Sequence, residues 1–483
     1  MTYCKLIISC CLALMVFHVS IAQQSIPVPG VYDELKKINP DTSAMIRVAN
    51  VTIQGNKKTK SNIILREISF ISGDSINITI LQNVLEQARR QVFNTSLFSE
   101  VSVVPTIISA TEINVLVTVL EKWYIYPTPQ FQFADRNINE WLKTYHADFN
   151  RVIYGAKFSH YNFSGRGDQL RIYLLNGYGR AVSFGYNAPF NKSSLNEGFR
   201  LSGGYSQNRE LAYKTTDTNT LLQYKKQGFV RNNWFVSVSY HTRQGFFTRR
   251  SYVLSYTYMN VDDSVINAKY NPDYFGQASH SVGFPEFAYT YLYTNVDHVN
   301  YPLEGTVAGF TILKRGLWFR GGINMLSLDV AGIKYMSHFN KRLYSSVQFY
   351  ARIKVPEEQA YINQKALGYG DLYLRGHEYY VIDGTIAALA KFTVKKKLLS
   401  FKIPVPLRIR QLPSIPFTFF AKTYADFGYC YNRTYVSRLN NVLLYTGGFG
   451  IDILSVYGFT LNLEYSFDQL GKNGLFLHGK SGF

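Results

Sequence analysis

The sequence predicts a mainly β protein: a sixteen-stranded antiparallel transmembrane β-barrel preceded by one small α+β domain. Three observations carry this. From about residue 128 onward the chain alternates apolar and polar residues with a period of two, and the apolar members are heavily aromatic. Beyond the N-terminal leader, no segment supplies the eighteen or so continuous apolar residues that a membrane helix requires. Tyr (38), Phe (34) and Gly (35) are abundant while only 17% of residues are charged, whereas a soluble sandwich would turn a highly charged face outward.

The N-terminus, "MTYCKLIISCCLALMVFHVSIAQQ", places Lys5 ahead of an apolar core from Leu6 to Phe17, then small residues at Ser20 and Ala22. This is the pattern of a cleaved secretory signal over residues 1–22. Cys10 and Cys11 lie inside the apolar core rather than after a cleavage box, which argues against a lipid anchor. Three of the four cysteines leave with the leader, so Cys430 stands alone and an internal disulfide is excluded. Residues 23–45 read as an N-terminal extension.

Residues 46–122 form the α+β domain. "IRVANVTIQGN" intersperses Val48, Val51 and Ile53 with polar residues and stops at the turn signal Gly55-Asn56. Helical spacing follows over Ser61 to Ile68 and again over Ile78 to Phe93, where Ile80, Leu81, Val84, Leu85, Ala88 and Val92 recur. Two alternating runs, "FSEVSVVPTI" and "EINVLVTVLE", close the unit. The expected order is strand, helix, helix, strand, strand.

These segments resemble a POTRA (polypeptide-transport-associated) domain at Gly55, Asn56, Arg66, Glu67, Gly73, Asp74, Leu97, Phe98 and Glu121. The resemblance places Arg66 and Glu67 in the first helix. A small sheet covered by two helices leaves one open edge strand, to which an extended peptide can add.

Residues 128–483 are the barrel. In "VQFYARIKV", Val347, Phe349, Ala351, Ile353 and Val355 share one face; in "LNLEYSF", Leu461, Leu463, Tyr465 and Phe467 do. These 356 residues give sixteen strands about 22 residues each, and fourteen or eighteen satisfy the same arithmetic. The period blurs between Gln207 and Pro285. The chain ends on "GLFLHGKSGF", where Leu475, Leu477 and the terminal Phe483 share a face; a terminal aromatic on an amphipathic strand is an assembly signal of outer-membrane proteins. Barrel closure is expected to join residues 130–133 to residues 475–483, with Gly479 and Gly482 weakening that pairing.

A POTRA unit ahead of a barrel resembles the outer-membrane assembly-factor superfamily of BamA and TamA. "HYNFSGRGDQLRI" is similar to its turn between the second and third strands (Asn162, Phe163, Gly165, Gly167), and "DHVNYPLEGTVAGF" to its Pro-x-x-Gly turn (Pro302, Gly305). The Arg-Gly-Asp tripeptide at Arg166–Asp168 falls in the first turn, on the periplasmic side, where an integrin ligand has no meaning. "LYLRGHEYY" resembles the sixth extracellular loop, whose arginine turns into the lumen. "FFAKTYADFGYCY" resembles the thirteenth-strand pattern ending in Asp-x-Gly. The resemblance thus implies a lock between Arg375, with Gly376 beside it, and Asp426. His377 departs from the family, which has an aromatic there; titration near neutral pH is conceivable at that position.

The +19 net charge invites a nucleic-acid reading, but the basic residues scatter over strand faces and no helix gathers them. A cation-lined lumen and rims facing anionic lipid account for it. No metalloprotease, nucleophile-elbow or phosphate-loop pattern and no metal-binding cysteine pair occurs, so no enzyme activity, cofactor or metal is expected. The resemblance implies ATP-independent insertion or translocation of unfolded outer-membrane or secreted polypeptides through a lateral seam. It also implies contact with outer-membrane lipids and with periplasmic or lipoprotein accessory subunits. A two-partner-type secretion pore and a passive porin or structural surface antigen remain alternatives. A single POTRA domain fits a specialised paralogue.

Overall fold

The computed structural model describes residues 44–134, 141–142, 146–189, 196–316, 323–404 and 414–480. The leader, nearly all of the extension, Gly482 and Phe483 lie outside them.

The small domain runs β1 (Met45–Gln54), α1 (Ser61–Leu65), β2 (Ser75–Asn77), α2 (Ile78–Asn94), β3 (Phe98–Ser109) and β4 (Glu112–Glu121). Its sheet has the order β2-β1-β4-β3, with β1 parallel to β4 and the other neighbours antiparallel. The strand missing from the sequence expectation is β2, three residues long and too short to display a period. Asn77 caps α2 by accepting the Thr79 N–H at 2.8 Å. Leu81, Leu85, Ala88 and Val92 bury that helix against Val48, Ile113, Val115 and Val117, as amphipathic spacing dictates. Ile80, assigned to the same stripe from sequence, is half exposed. The first helix also ends earlier than expected: Arg66 is its C-cap, so Arg66 and Glu67 sit after the helix.

The turn after β1 depends on a glycine. Gly55 has φ +93°, and a Cβ there would lie 2.0 Å from the Val119 carbonyl oxygen of the adjacent strand.

The rest of the chain is one sheet of sixteen sequentially antiparallel strands, the first Ile125–Phe133 and the last Asn473–Lys480, interrupted by two minor ribbons at the end far from the small domain. It is rolled: Tyr301, in the turn between the eighth (Ser281–Val296) and ninth (Gly305–Arg315) strands, hydrogen-bonds Asp452 on the fourteenth (Leu444–Leu454) at 2.7 Å. The outward face is apolar, as at Trp234, Val236, Val238 and Tyr240, or Val347, Phe349 and Ile353, and the inward face carries Asp, Glu, Lys and Arg. Among the described residues no helix is long and apolar enough to cross a membrane. A sheet that is apolar outside and ionic inside spans a bilayer with its strands.

The region whose period blurred holds long strands interrupted by a ribbon, Glu210–Thr215 with Leu221–Lys225, and by the loop 262–280. Leu211, Val230, Val265, Tyr274 and Phe275 from these segments pack with Ile323 and Tyr361 into a separate apolar cluster. Loop residues that build their own core follow no strand period.

Replacing Gly55 with Ala is expected to cost about 1–3 kcal/mol through its left-handed backbone alone, before the clash with Val119. Limited proteolysis of the full chain will show faster cleavage within residues 46–122; unchanged protection would refute the assignment.

Candidate functional site

Three places gather the sequence motifs: a loop folded into the lumen, the junction between the small domain and the barrel, and the seam between the first and last strands.

The loop joins the eleventh strand (Leu343–Val355) to the twelfth (Ile386–Pro404) and enters the lumen. There the structure brings Arg375 to Asp426 on the thirteenth strand (Ser414–Tyr431). The guanidinium donates from Nε to Oδ2 at 2.9 Å and from its second terminal nitrogen to Oδ1 at 2.5 Å, while the Arg375 backbone N–H donates to Oδ2 at 2.9 Å. The remaining terminal nitrogen donates to Thr393 Oγ1 at 3.0 Å, and the guanidinium carbon lies 3.9 Å from the centre of the Tyr424 ring. A two-pronged fork on a carboxylate fixes orientation as well as distance. Asp426 is fully buried and Arg375 nearly so, so removing either leaves the other's charge buried without its counter-ion.

Two glycines let the loop approach. Gly376 has φ +103°, and a Cβ on it would come within 2.9 Å of Ser466 on the fifteenth strand (Thr460–Asp468). A Cβ on Gly428 would meet the buried Leu374 at 2.8 Å. The second glycine of the Asp-x-Gly pattern is therefore a seat for the loop's leucine.

His377 is buried, edge-on to Tyr380 at 5.5 Å between centroids, with Nε2 3.7 Å from Asp468. It thus packs where an aromatic would. Burial pushes its imidazole below the ordinary value and outweighs Asp468, which pulls it up. The docked position therefore favours the neutral ring.

Beside the lock, Lys422 bridges Asp452 and Glu464, and Lys395 contacts Asp452 at 2.9 Å. Tyr301, preceding the Pro302 turn, completes this network by donating to Asp452 and accepting from Lys395. Sequence reading flagged Pro302 and Gly305 but not Tyr301, whose partners Lys395 and Asp452 stand 94 and 151 residues away in the chain. Gly305 itself is required: at φ +117° its Cβ would fall 2.1 Å from the Asn295 oxygen.

Among the described residues, one group could hold a metal ion: Glu378, Glu464 and His478, whose ligand atoms all lie within 4.8 Å of one another. These groups already bond each other and Lys422, tying the loop to the last strand.

At the junction, the turn after the second barrel strand (Val152–Tyr161) meets the loop after β1. Asn162, at φ +59°, accepts the Gly167 N–H at 2.8 Å and donates to Thr59 Oγ1 at 2.9 Å. Lys60 N–H donates to the Gly165 oxygen at 3.0 Å, and a Cβ on Gly165 would press within 2.5 Å of the Lys58 oxygen. Phe163 stays half exposed against His160, and Asp168 is buried inside the turn, bonded to Ser164 and Tyr186. On the domain side, Glu121 accepts the Lys58 and Thr59 N–H groups, and Asn56 donates to the Thr59 oxygen. Asp74 accepts the Ile71 N–H beside Gly73, and Leu97 and Phe98 are core.

Glu67 contributes what sequence did not reveal. Its carboxylate receives a bidentate clasp from Arg243, on the sixth barrel strand (Arg231–Gln244), at 2.7 and 2.6 Å, with both side chains buried. Asn94 at the end of α2 adds bonds to Val296 and Val299. Three contact points hold the domain against the barrel.

At the seam the expected ladder is absent among the described residues: the first strand pairs only with the second, and the sixteenth only with the fifteenth. The reason lies in the first strand. Tyr161 N–H bonds to Tyr124 and Ala134 N–H to Arg151, so even-numbered residues point their backbone groups at the second strand. The odd-numbered positions face the seam, and two of them, Pro127 and Pro129, have no N–H to give. On the last strand Leu475 and Leu477 face outward, Phe476 packs against Tyr379, and Gly479 has open space around it.

The profile of the POTRA family, described as a surface antigen variable number repeat, matches residues 46–122. No curated protein sequence matches the chain significantly. Among solved structures, CdiB from Escherichia coli is similar over 91% of this chain and 75% of its own, at 10% identity and a TM-score of 0.52. BamA from Haemophilus ducreyi lacking POTRA domains 1–3 is matched over 90% of this chain and 84% of its own, at 12% identity and 0.47. CdiB from Acinetobacter baumannii is matched at 11% identity and 0.46, over 90% and 73%. The Escherichia coli CdiB match establishes a shared fold. Residues 46–122 are a POTRA domain, and it precedes a barrel whose fold is shared with CdiB.

Two outcomes follow from this geometry. Arg375→Ala or Asp426→Ala strands a buried charge at about 3–5 kcal/mol; heat-modifiability on gels will report a weakened barrel, and Arg375→Asp with Asp426→Arg will recover part of it. Recovery no better than the single variants would mean the residues do not act as a pair. The second concerns pH: because His377 has a lower pKa in the docked loop than free in water, docking is fully stable above the free value and weakens as pH falls below it. Protease accessibility of residues 356–385 will rise between pH 7.5 and 5.5, and His377→Phe will flatten that rise.

Proposed function

We propose that this protein inserts polypeptides into the outer membrane, or passes them across it, without nucleotide hydrolysis. The observation that carries the reading is the seam edge of the first strand, which lacks two donors and, among the described residues, has no ladder to the last strand. Exposed N–H and C=O groups on such an edge are a template for an incoming β-strand. The POTRA domain, clasped to the periplasmic mouth, offers a second edge in β3, where an extended client first adds; Pro105 removes one donor from that strand. A passive pore fits less well, because the loop, Tyr301 and paired charges occupy the lumen.

The loop's place in this mechanism is structural support. Tyr373 stacks on His478 at 5.4 Å, Glu378 bonds it, and Tyr379 meets Phe476, so the loop braces the last strand from inside while that strand's outer edge is free. Accessory subunits and outer-membrane lipids complete the working assembly.

With Cys430 replaced by Ala, Thr128→Cys is to be combined in turn with Leu475→Cys, Leu477→Cys and Gly479→Cys, and the pairs bridged by bismaleimides. Bridged protein is expected to lose rescue of a depletion strain, measured through its outer-membrane proteome, and full rescue by bridged protein would sink lateral insertion. Pro127→Val with Pro129→Val, which restores two donors, is expected to slow client assembly several-fold without any crosslink.

A further inference from the structure

The barrel's periplasmic mouth and the face of α2 enclose a cavity of about 820 Å³ that none of the motifs explains. Six arginines line it: Arg66, Arg90, Arg200, Arg243, Arg249 and Arg250. Its carboxylates are Glu67 and Glu86, and both are spoken for. Glu67 is held by Arg243 and Arg66, and Glu86 by Arg89 and Arg90. Arg250 donates to Gln244.

Two guanidiniums are left over. Arg200 and Arg249 make no ion pair or hydrogen bond among the described residues. Strand parity turns both inward: Phe199 and Leu201 flank Arg200 on the outer face, and Tyr252 and Leu254 continue the outer face of the strand that carries Arg249. Beside them stands an amide with no partner. Gln91 of α2 is 9% exposed, lines the same cavity, and neither its side-chain oxygen nor its nitrogen is hydrogen-bonded; the same holds for Nε2 of His241. A buried amide with neither donor nor acceptor bonded is costly to keep, so this arrangement is suited to something that fills it.

We propose that the cavity binds a carboxylate-bearing segment of an extended polypeptide. Arginine forks match carboxylates. Gln91 offers one donor and one acceptor side by side, the complement of a peptide unit, which a bare phosphate or lipid headgroup does not need. The position fits as well, between the POTRA domain and the lumen side of the third to eighth strands. This rests on the client-handling function proposed above and names a feature of the client: an acidic side chain or its terminal carboxylate.

The test uses the full-length protein in nanodiscs and a fluorescent dodecapeptide of alternating Val and Thr carrying three Asp residues and a free C-terminal carboxylate, read by anisotropy. Arg200→Gln and Arg249→Gln are each expected to weaken binding at least tenfold, and Arg249→Lys less. Replacing the peptide's Asp with Asn, or amidating its end, identifies which carboxylate is held, and loss in either arm supports the site. Equal binding of the peptide with no carboxylate, unchanged affinity in both Arg variants, or millimolar inorganic phosphate binding as tightly as the peptide would each overturn it. Heat-modifiability of the variants guards against misfolding, and Gln91→Ala, on the domain side, provides a second route to the same loss. The two proposals fail separately: a bridged seam that abolishes assembly while the peptide still binds leaves this site standing. Assembly that proceeds with no carboxylate preference removes this site alone.

Discussion

In hydrocarbon, a backbone N–H or C=O without a partner costs several kcal/mol, so a membrane-spanning sheet is held to closing on itself. The sixteen strands meet that demand at every interior boundary. On the edge of the first strand that the second strand leaves open, Pro127 and Pro129 withdraw two donors. Backbone groups left unpaired on a strand edge are the kind that an added strand can pair.

Rigidity comes from charges buried in the lumen. Arg375 on Asp426, and Lys422 between Asp452 and Glu464, add little net stability in themselves because desolvation offsets attraction. They give position instead. A loop attached through a guanidinium fork, a leucine seated on Gly428 and a glycine pressed against Ser466 has one place to be. From that place it reaches the last strand through Tyr373, Glu378 and Tyr379, so the strand that flanks the seam is braced from inside. The same logic holds at the mouth, where the Glu67 clasp by Arg243 and the Asn162 contact with Thr59 turn the POTRA domain into an extension of the barrel wall.

The two ionic systems differ in what they leave over. In the lumen the carboxylates are held directly, Asp426 by Arg375 and Asp452 and Glu464 by Lys422, while Lys354 is held by backbone oxygens. At the mouth, arginines exceed carboxylates, and Arg200 and Arg249 stay unmatched beside an unsatisfied Gln91. Which arginines meet at the entrance is a property of the assembled junction.

How much of this was legible beforehand divides along physical lines. Wherever a structural feature is a local pattern, the sequence contained it: period-two alternation and its aromatic face, the Gly55-Asn56 turn, the Asn162 and Gly305 turns, and the Arg375 and Asp426 positions through their family resemblance. The parity of Pro127 and Pro129 was also present, but which parity faces the seam depends on the pairing with the second strand. What only the tertiary structure decided are the contacts between residues far apart in the chain: Glu67 with Arg243, Tyr301 with Asp452, Leu374 on Gly428, and the arginine-lined cavity. Periodicity reports which way a side chain points, and it says nothing about what stands opposite, because that is fixed by how sixteen strands and one small domain close around a common space.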